Sequence, residues 1–456
     1  MSLSRVESRK RQQQNEQGRR NNRRLFAIIL LFLVASIAIV LAVISQGERI
    51  TGWVTGLINK PVEERNIYTV PTTTPSSNMA SDQSDVEPEE ALAPEQDEAE
   101  LDASYELEEP VEQAVDTIED TTDEGEGIDG QPSDSTGTDG DQTVQLAFVG
   151  DLLPGEYIAT YLTNEGVSYP YEKALFHLTS ADITAGNLEL PITSADNPAE
   201  NKTFVFKGKP ESLSGLVDAG FDVVSLANNH TMDHGVEGLL ETIKHLDEYG
   251  IGHVGAGNNA EEAYAPVIRE VNGIKVAYVA TSRVLPVTEW KATRYAPGLA
   301  ESYDPTQTLK SIEALEEEAD ITVVLVHWGI ERADKPEDYQ LNLAKQYIDA
   351  GADLVIGSHP HVLQGFQQYN GKWIAYSLGN FVFNANPKER QAETGVLTAT
   401  CNANSDCELQ LAPMKVVNAQ PTPIEGSEAE KLLGFLEQVS IGNVMIDARG
   451  NITNRD

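Results

Sequence analysis

Basic residues are scarce in this chain. Its 456 residues hold 32 Lys and Arg against 72 Asp and Glu, a formal net charge of −40. No basic patch or basic helix follows the first 24 residues, so nucleic-acid binding has no support. Cysteine is scarcer still. Cys401 and Cys407 have no histidine nearby, which makes a poor zinc site, and a disulfide closing a small loop or hairpin is the expectation. Beyond the N-terminal region there is no GxSxG and no P-loop, so serine-hydrolase and nucleoside-triphosphatase readings fall away. There is no internal repeat.

Charge and hydropathy divide the chain unevenly. Residues 1–24 are basic. Leu25–Ser45 is an uncharged run of about twenty apolar or small residues, enough at ~1.5 Å per residue to cross a ~30 Å hydrocarbon core. It is long for a signal-peptide core and no small-residue cleavage site follows, so it reads as a signal-anchor helix rather than a cleaved leader. The positive flank places the N-terminus in the cytoplasm and the rest outside, as a single-pass protein of the cell membrane. Residues 46–143 follow as an extracellular acidic linker. From 66 to 142 it has about two dozen Asp and Glu and no Lys or Arg, a composition expected to stay disordered and extended.

From 144 to 418 strand-like and helical runs alternate, which argues for an α/β domain. Strands are expected at 144–149, 182–186, 222–227, 251–255, 266–271, 274–280, 321–326, 353–357, 372–377 and 395–400. Helices are expected at 170–178, 210–218, 235–249, 259–264, 306–317 and 337–350. Asn272-Gly273 and Asn370-Gly371 are hairpin signals, so the sheet is mixed or there are two packed sheets. Residues 419–456 read as a C-terminal tail with a short helix at 427–439.

The carboxyl ends of five apolar runs carry metal-binding residue types: Asp151; Asn187 and Glu189; Asn228, Asn229 and His230; His327; His359 and His361. In open α/β sheets ligands bind beyond the carboxyl ends of the strands, so these residues are expected at one site. His359 and His361 flank Pro360. If the backbone there is extended, residues i and i+2 point the same way and form half of a Zn, Mn or Fe site. Asn229 offers a carbonyl oxygen, and His230 an acid–base group that Asp233 can orient. Glu189 is the only acid near the second strand end. Tyr376, Asn380 and Phe381 either line the cleft or belong to the core.

In order, FVGDLL, AGNLELPI, FDVVSLANNHTMDHG, GIGHVGAG, VVLVHWGIE, GADLVIGSHPHVLQG and YSLGNFVF resemble the capsule-synthesis CapA family over roughly 146–400. That family is associated with poly-γ-glutamate synthesis and export and is distantly related to calcineurin-like metallophosphoesterases. The resemblance implies a metallophosphoesterase-like β-sandwich flanked by helices. It implies ligands at Asp151, Asn229, His327, His359 and His361, with His230 beside them. Leu153 stands where the superfamily has a histidine, and Asn187 where it has a bridging aspartate. Glu189 is the candidate replacement, leaving two ions, one or none. Two readings follow: a metal-dependent hydrolase of a phosphoester or amide bond in the cell envelope, or a non-catalytic polymer-binding or scaffold component. Implied partners are the membrane through Leu25–Ser45, an anionic capsule polymer such as poly-γ-glutamate, and other membrane-bound synthesis components. Lys202, Lys207, Lys209, Arg283, Lys291, Arg294 and Arg332 are the cations that a polyanion clamp would use.

Overall fold

Alternate residues along the buried strands face different cores, and this is why the runs lack polar alternation. Ile321, Val323 and Leu325 join one apolar cluster, while Val324 and Val326 join another. The computed structural model describes residues 142–200 and 202–455. The expected tail 1–24, the span Leu25–Ser45 and the linker up to 141 lie outside the described residues. Among those described, no helix is long and apolar enough to cross a membrane.

The chain runs β1 (Thr143–Leu152), α1 (Ala159–Glu165), α2 (Leu175–Thr179), β2 (Ile183–Leu188), α3 (Ser212–Asp218), β3 (Phe221–Ser225), α4 (Gly235–Tyr249) and β4 (Gly252–Val254). It continues through β5 (Ala256–Gly257), α5 (Ala260–Ala263), β6 (Val267–Val271), β7 (Ile274–Ser282), β8 (Gly298–Leu299), α6 (Thr306–Glu313), β9 (Ile321–His327), α7 (Asp338–Asp349) and β10 (Leu354–Ser358). The remainder is β11 (Phe366–Tyr369), β12 (Lys372–Ala375), β13 (Asn380–Val382), β14 (Glu393–Asn402), β15 (Cys407–Val417), β16 (Gln420–Pro423), α8 (Gly426–Val439), β17 (Val444–Ile446) and β18 (Asn451–Asn454).

Two sheets carry the domain. The ten-stranded sheet runs β17-β18-β15-β14-β1-β2-β3-β4, with β13 beside β1 and β16 beside β15; the six-stranded sheet runs β11-β12-β10-β9-β7-β6. Strands β1 to β4 are mutually parallel, as are β7, β9, β10 and β12. Inner faces meet in one core, where Leu146 and Phe148 of the first sheet share a cluster with Val276, Val323 and Ile356 of the second. Outer faces are covered by helices: Leu216 of α3 and Leu239 of α4 on one side, Ile312 of α6 and Leu343 of α7 on the other. The fold is therefore mixed α/β, a two-sheet sandwich between helical layers.

Both Asn-Gly signals form hairpins, with Asn272, Gly273, Asn370 and Gly371 all at positive φ. Cys401 and Cys407 are bonded across the β14–β15 hairpin, Cα to Cα 4.1 Å. Helix α6 stops at Glu313, short of the expected 317. The acidic run Glu316–Glu318 follows, and negative charge is unfavourable at a helix C-terminus.

The expected boundary at 418 is corrected. Residues 419–456 are not a tail. β16 pairs with β15, β17 and β18 extend the large sheet, and α8 packs against β11 of one sheet and β15 and β17 of the other. The β15–β16 turn uses Asn418-Ala419 at positive φ (51° and 63°). Without a glycine this hairpin carried no sequence signal. Leu432, Leu433, Leu436, Val444, Ile446 and Ile452 all join the inner core. Each buried apolar side chain contributes roughly 1.5–3 kcal/mol, so their sum matches the whole net stability of a typical domain, about 5–15 kcal/mol. A chain ended at residue 418 is expected to be insoluble or to lack a cooperative melt, whereas the full chain melts cooperatively. Soluble yield and thermal denaturation of the two check this; a stable shortened protein would refute the structural role given to α8.

Candidate metal centre

The two sheets deliver their strand ends to one place. Asp151 pairs in register with Asn187 of β2 and with Asn380 of β13, and His327 lies level with Ser282 and Ser358. Backbone approach here is tight. A Cβ on Gly150 would sit 1.8 Å from the Gly379 carbonyl oxygen, and one on Gly357 would sit 2.0 Å from that of Tyr376. Glycine before the functional residue is thus a steric requirement at two of the strand ends.

Three overlapping groups bring ligand atoms within 4.8 Å of one another: Asp151, Glu189 and His361; Glu189, His327 and His359; Glu331, His359 and His361. His327 Nε2 lies 2.9 Å from Asn229 Oδ1 and 3.4 Å from Glu189 Oε1. His361 Nδ1 is 2.9 Å from Asn380 Oδ1 and 3.2 Å from Asp151 Oδ2. Asn187 is placed differently from a ligand. Its amide nitrogen donates to Asp151 Oδ1 at 2.9 Å, and its oxygen already accepts from Asn228 Nδ2 at 3.0 Å. It holds Asp151 and the 228–231 turn in place, leaving the β2 end to supply its charge through Glu189.

The HPH segment also departs from expectation. His359 and His361 have φ of 97° and 56°, so the backbone is in the left-handed region and not extended. The rings still converge, centroids 5.9 Å apart, through a tight turn. Such strain costs of order 1–3 kcal/mol per residue and collects at functional sites.

Electrostatics define what the cluster lacks. Asp151, Glu189 and His327 are essentially buried. Neither oxygen of Glu189 has a hydrogen-bond partner, nor does His359 Nδ1, and Asp151 Oδ2 faces the His361 ring at 3.2 Å. Burial and the neighbouring Asp151 raise the Glu189 carboxyl well above the usual range. Burial opposes ionisation of Asp151 too, but the hydrogen bond and charge of His361 outweigh it and its pKa is lowered. Burial alone would lower His361; Glu189 and Asp151 overcome that and raise it to about 10. Burial and the other imidazoles keep His359 neutral, at about 3, and lower His327 well below its ordinary value. Two buried carboxyl groups beside the neutral rings of His327 and His359 are the donor set of Mn, Zn or Fe. The residues fit a divalent ion.

Beside this cluster His230 Nδ1 lies 2.7 Å from Asp233 Oδ2, an oxygen that also accepts from Phe206 N at 2.8 Å. The Lys202 ammonium reaches Asp233 Oδ1, the Asn229 carbonyl at 2.6 Å and His230 Nδ1 at 2.9 Å. Nδ1 cannot both donate to Asp233 and accept from Lys202. Because the ammonium has two other acceptors, the Asp233 bond takes the Nδ1 proton and leaves Nε2 as an acceptor. Burial, with Lys202 adding to it, lowers His230 to about 4.

A small cavity over the cluster is lined by Glu189, Glu331, His230, His361, Lys202 and an apolar wall of Leu153, Phe204, Phe206 and Phe383. Asn380, one of the cleft-or-core residues, is at the site. Ser358, which meets His327 Nδ1 at 3.0 Å, and Glu331 escaped the sequence reading. Glu331 had one available signal, its place four residues after His327 in HWGIE. Of the seven nominated cations, Lys202 lines this cavity; Lys207 and Lys209 line another, and Arg283 stacks on Tyr303 at 3.8 Å.

Fold and centre together define an α/β sandwich domain with a carboxylate–histidine centre of metal-binding type. The chain belongs to the bacterial capsule synthesis protein family PGA_cap, whose sequence model matches residues 145–385. It is 33% identical over 290 residues to a capsule biosynthesis protein CapA of Bacillus anthracis, covering 62% of this chain and 70% of that one. It is 32% identical over 289 residues to a PGA biosynthesis protein CapA of Bacillus subtilis, covering 62% and 75%. Among solved structures, the sulfate thiohydrolase SoxB of Thermus thermophilus aligns at 13% identity and TM-score 0.37, over 64% of this chain and 59% of that one. That score is too low to bear on fold or chemistry.

If the cluster holds an ion, adding Mn²⁺ or Zn²⁺ to chelator-treated protein raises the unfolding midpoint. Binding contributes about 2.7 kcal/mol at a hundredfold excess over Kd, or several degrees. Glu189→Gln is expected to lose most of that rise while the metal-free protein stays folded. No rise in the parent protein at millimolar metal would exclude the centre.

Proposed function

We propose that the domain is a metal-dependent hydrolase acting in capsule or poly-γ-glutamate synthesis or export. In this reading Leu25–Ser45 anchors it to the cell membrane, with the domain outside and other membrane-bound synthesis components within reach. The names of the Bacillus relatives supply the capsule role, and one observation supports the chemistry: the two unpartnered oxygens of Glu189, fully buried among histidines. Leaving such a group unpaired is costly, and a cation is the partner its surroundings fit. The scaffold alternative asked for cations gathered at the cleft, and of those nominated Lys202 alone lines it, with its ammonium held by Asp233.

Asp151, Glu189, His327, His359 and His361 would hold one or two divalent ions, with Asn229 and Glu331 at the edge. A bound ion supplies Lewis acidity toward a carbonyl or phosphoryl oxygen. The chain's own part centres on His230. Neutral at physiological pH, with Nδ1 tied to Asp233, it presents Nε2 as a proton acceptor. It takes a proton as water attacks and returns it to the leaving group. The ring is kept in that tautomer by Asp233, which Lys202 and Phe206 N hold from the other side. Leu153, Phe204, Phe206 and Phe383 exclude bulk water and strengthen each of these interactions.

Protein purified without chelator is expected to carry one or two Mn, Zn or Fe per chain by elemental analysis, lost in His359→Ala/His361→Ala. Asp233→Asn should keep the metal and lower turnover of a susceptible amide or phosphoester by about 10²–10⁴-fold. Folded parent protein that takes up no metal would overturn the hydrolase reading. Deleting residues 25–45 should move the protein from the membrane fraction to the soluble fraction. Persistence in the membrane fraction would refute the anchor.

A further inference from the structure

The cavity over the metal centre has room for little more than one water, about 20 Å³. A reacting group fits there; the rest of a polymer does not. Immediately beside it lies a larger cavity of about 490 Å³, within the size range of ligand sites. The wall between the two is short. Leu153 lines the small cavity and Gly155 the large one, and Phe206 lines the small one and Lys207 the large one. Glu156 N donates to the Lys207 carbonyl at 3.0 Å, closing that wall. A Cβ on Gly155 would meet the Lys207 oxygen at 2.4 Å, so the two segments are in close contact.

We infer that this second cavity is a binding subsite for the chain flanking the reacting group, and that its ligand is a carboxylate-bearing, γ-linked oligopeptide. The inference rests on the capsule reading above. Lys207 and Lys209 line the cavity, and among the described residues the one ion pair of either is Lys207 with the exposed Asp196 at 3.3 Å. Both are placed to meet carboxylates. Leu162 and Val167 line it with apolar surface suited to the two-methylene stem of each γ-linked unit. Glu156 and Glu211, also in the lining, are acceptors for amide N–H groups. A balance of two cations and two acids suits a chain that alternates carboxylates with amide donors, and does not suit a phosphate-rich polymer.

The test measures binding of a synthetic γ-linked glutamate tetramer to the full chain by titration calorimetry at low salt. Lys207→Glu/Lys209→Glu is expected to weaken binding about tenfold or more. Ala159→Trp, at an exposed position on the cavity rim, is expected to block it without disturbing the core. Thermal melts of each variant establish that it is folded. Equal binding by the parent and both cavity variants would overturn the subsite, as would no binding of the tetramer by the parent. Failure of the hydrolase reading is separately visible: the parent would take up no metal and yet bind the tetramer in a lysine-dependent way.

Discussion

Asp151 and Glu189 are buried carboxylates whose oxygens lie within 4.8 Å of each other and of the His361 ring. Two such groups cannot both ionise in a low-dielectric interior without positive charge between them. Without an ion, His361 supplies that charge, its pKa raised to about 10, and the Glu189 carboxyl is pushed well above its usual range. A divalent cation supplies the charge without those protons and fills the unpaired oxygens. Much of the surrounding structure serves this pair. Asn187 and Asn380 orient Asp151 and His361, Ser358 and Asn229 hold the ring of His327, and Asn228 organises the turn that delivers His230.

The sandwich makes the convergence possible. A single parallel sheet would bring its strand ends into a row, whereas here β1, β2 and β3 of one sheet meet β9 and β10 of the other across the inner core. Ligands can therefore surround a point. The close approach needs glycine at 150 and 357, where any side chain would strike a carbonyl. It also needs His359 and His361 in a backbone region that histidines seldom occupy. Strain of that kind persists only where packing on all sides enforces it, and both residues are buried between the two sheets' ends.

Much of this was legible in the chain. Continuous Val/Ile/Leu runs ending in Asp, Asn or His announced both the strands and the site, because a strand buried on both faces has no polar positions until it leaves the core. Asn-Gly turns announced two hairpins. What stayed hidden depended on tertiary context. The hairpin at Asn418-Ala419 has no glycine, so 419–456 looked like a tail although its leucines complete the inner core. Ser358 and Glu331 are carried to the cluster by the tertiary fold, and the place of Glu331 four residues after His327 was the one signal for it. The HPH geometry was misjudged because Pro360 biases its neighbour toward extended backbone, and the packed turn overrides that preference.

Leu153, Asn187 and Glu189 are placed by one strand geometry. Glu189 N donates to the Leu152 carbonyl at 3.0 Å, so the β1–β2 ladder continues past Leu188. Side chains two apart on an extended strand point the same way. Glu189 therefore faces the side that Asn187 faces and brings a carboxyl group to the cluster, while Asn187 is a neutral bridge between Asp151 and Asn228. Leu153 joins Phe204, Phe206 and Phe383 in an apolar wall. The carboxyl of Glu189 thus lies beside His327 and His359, and the wall toward the second cavity is apolar.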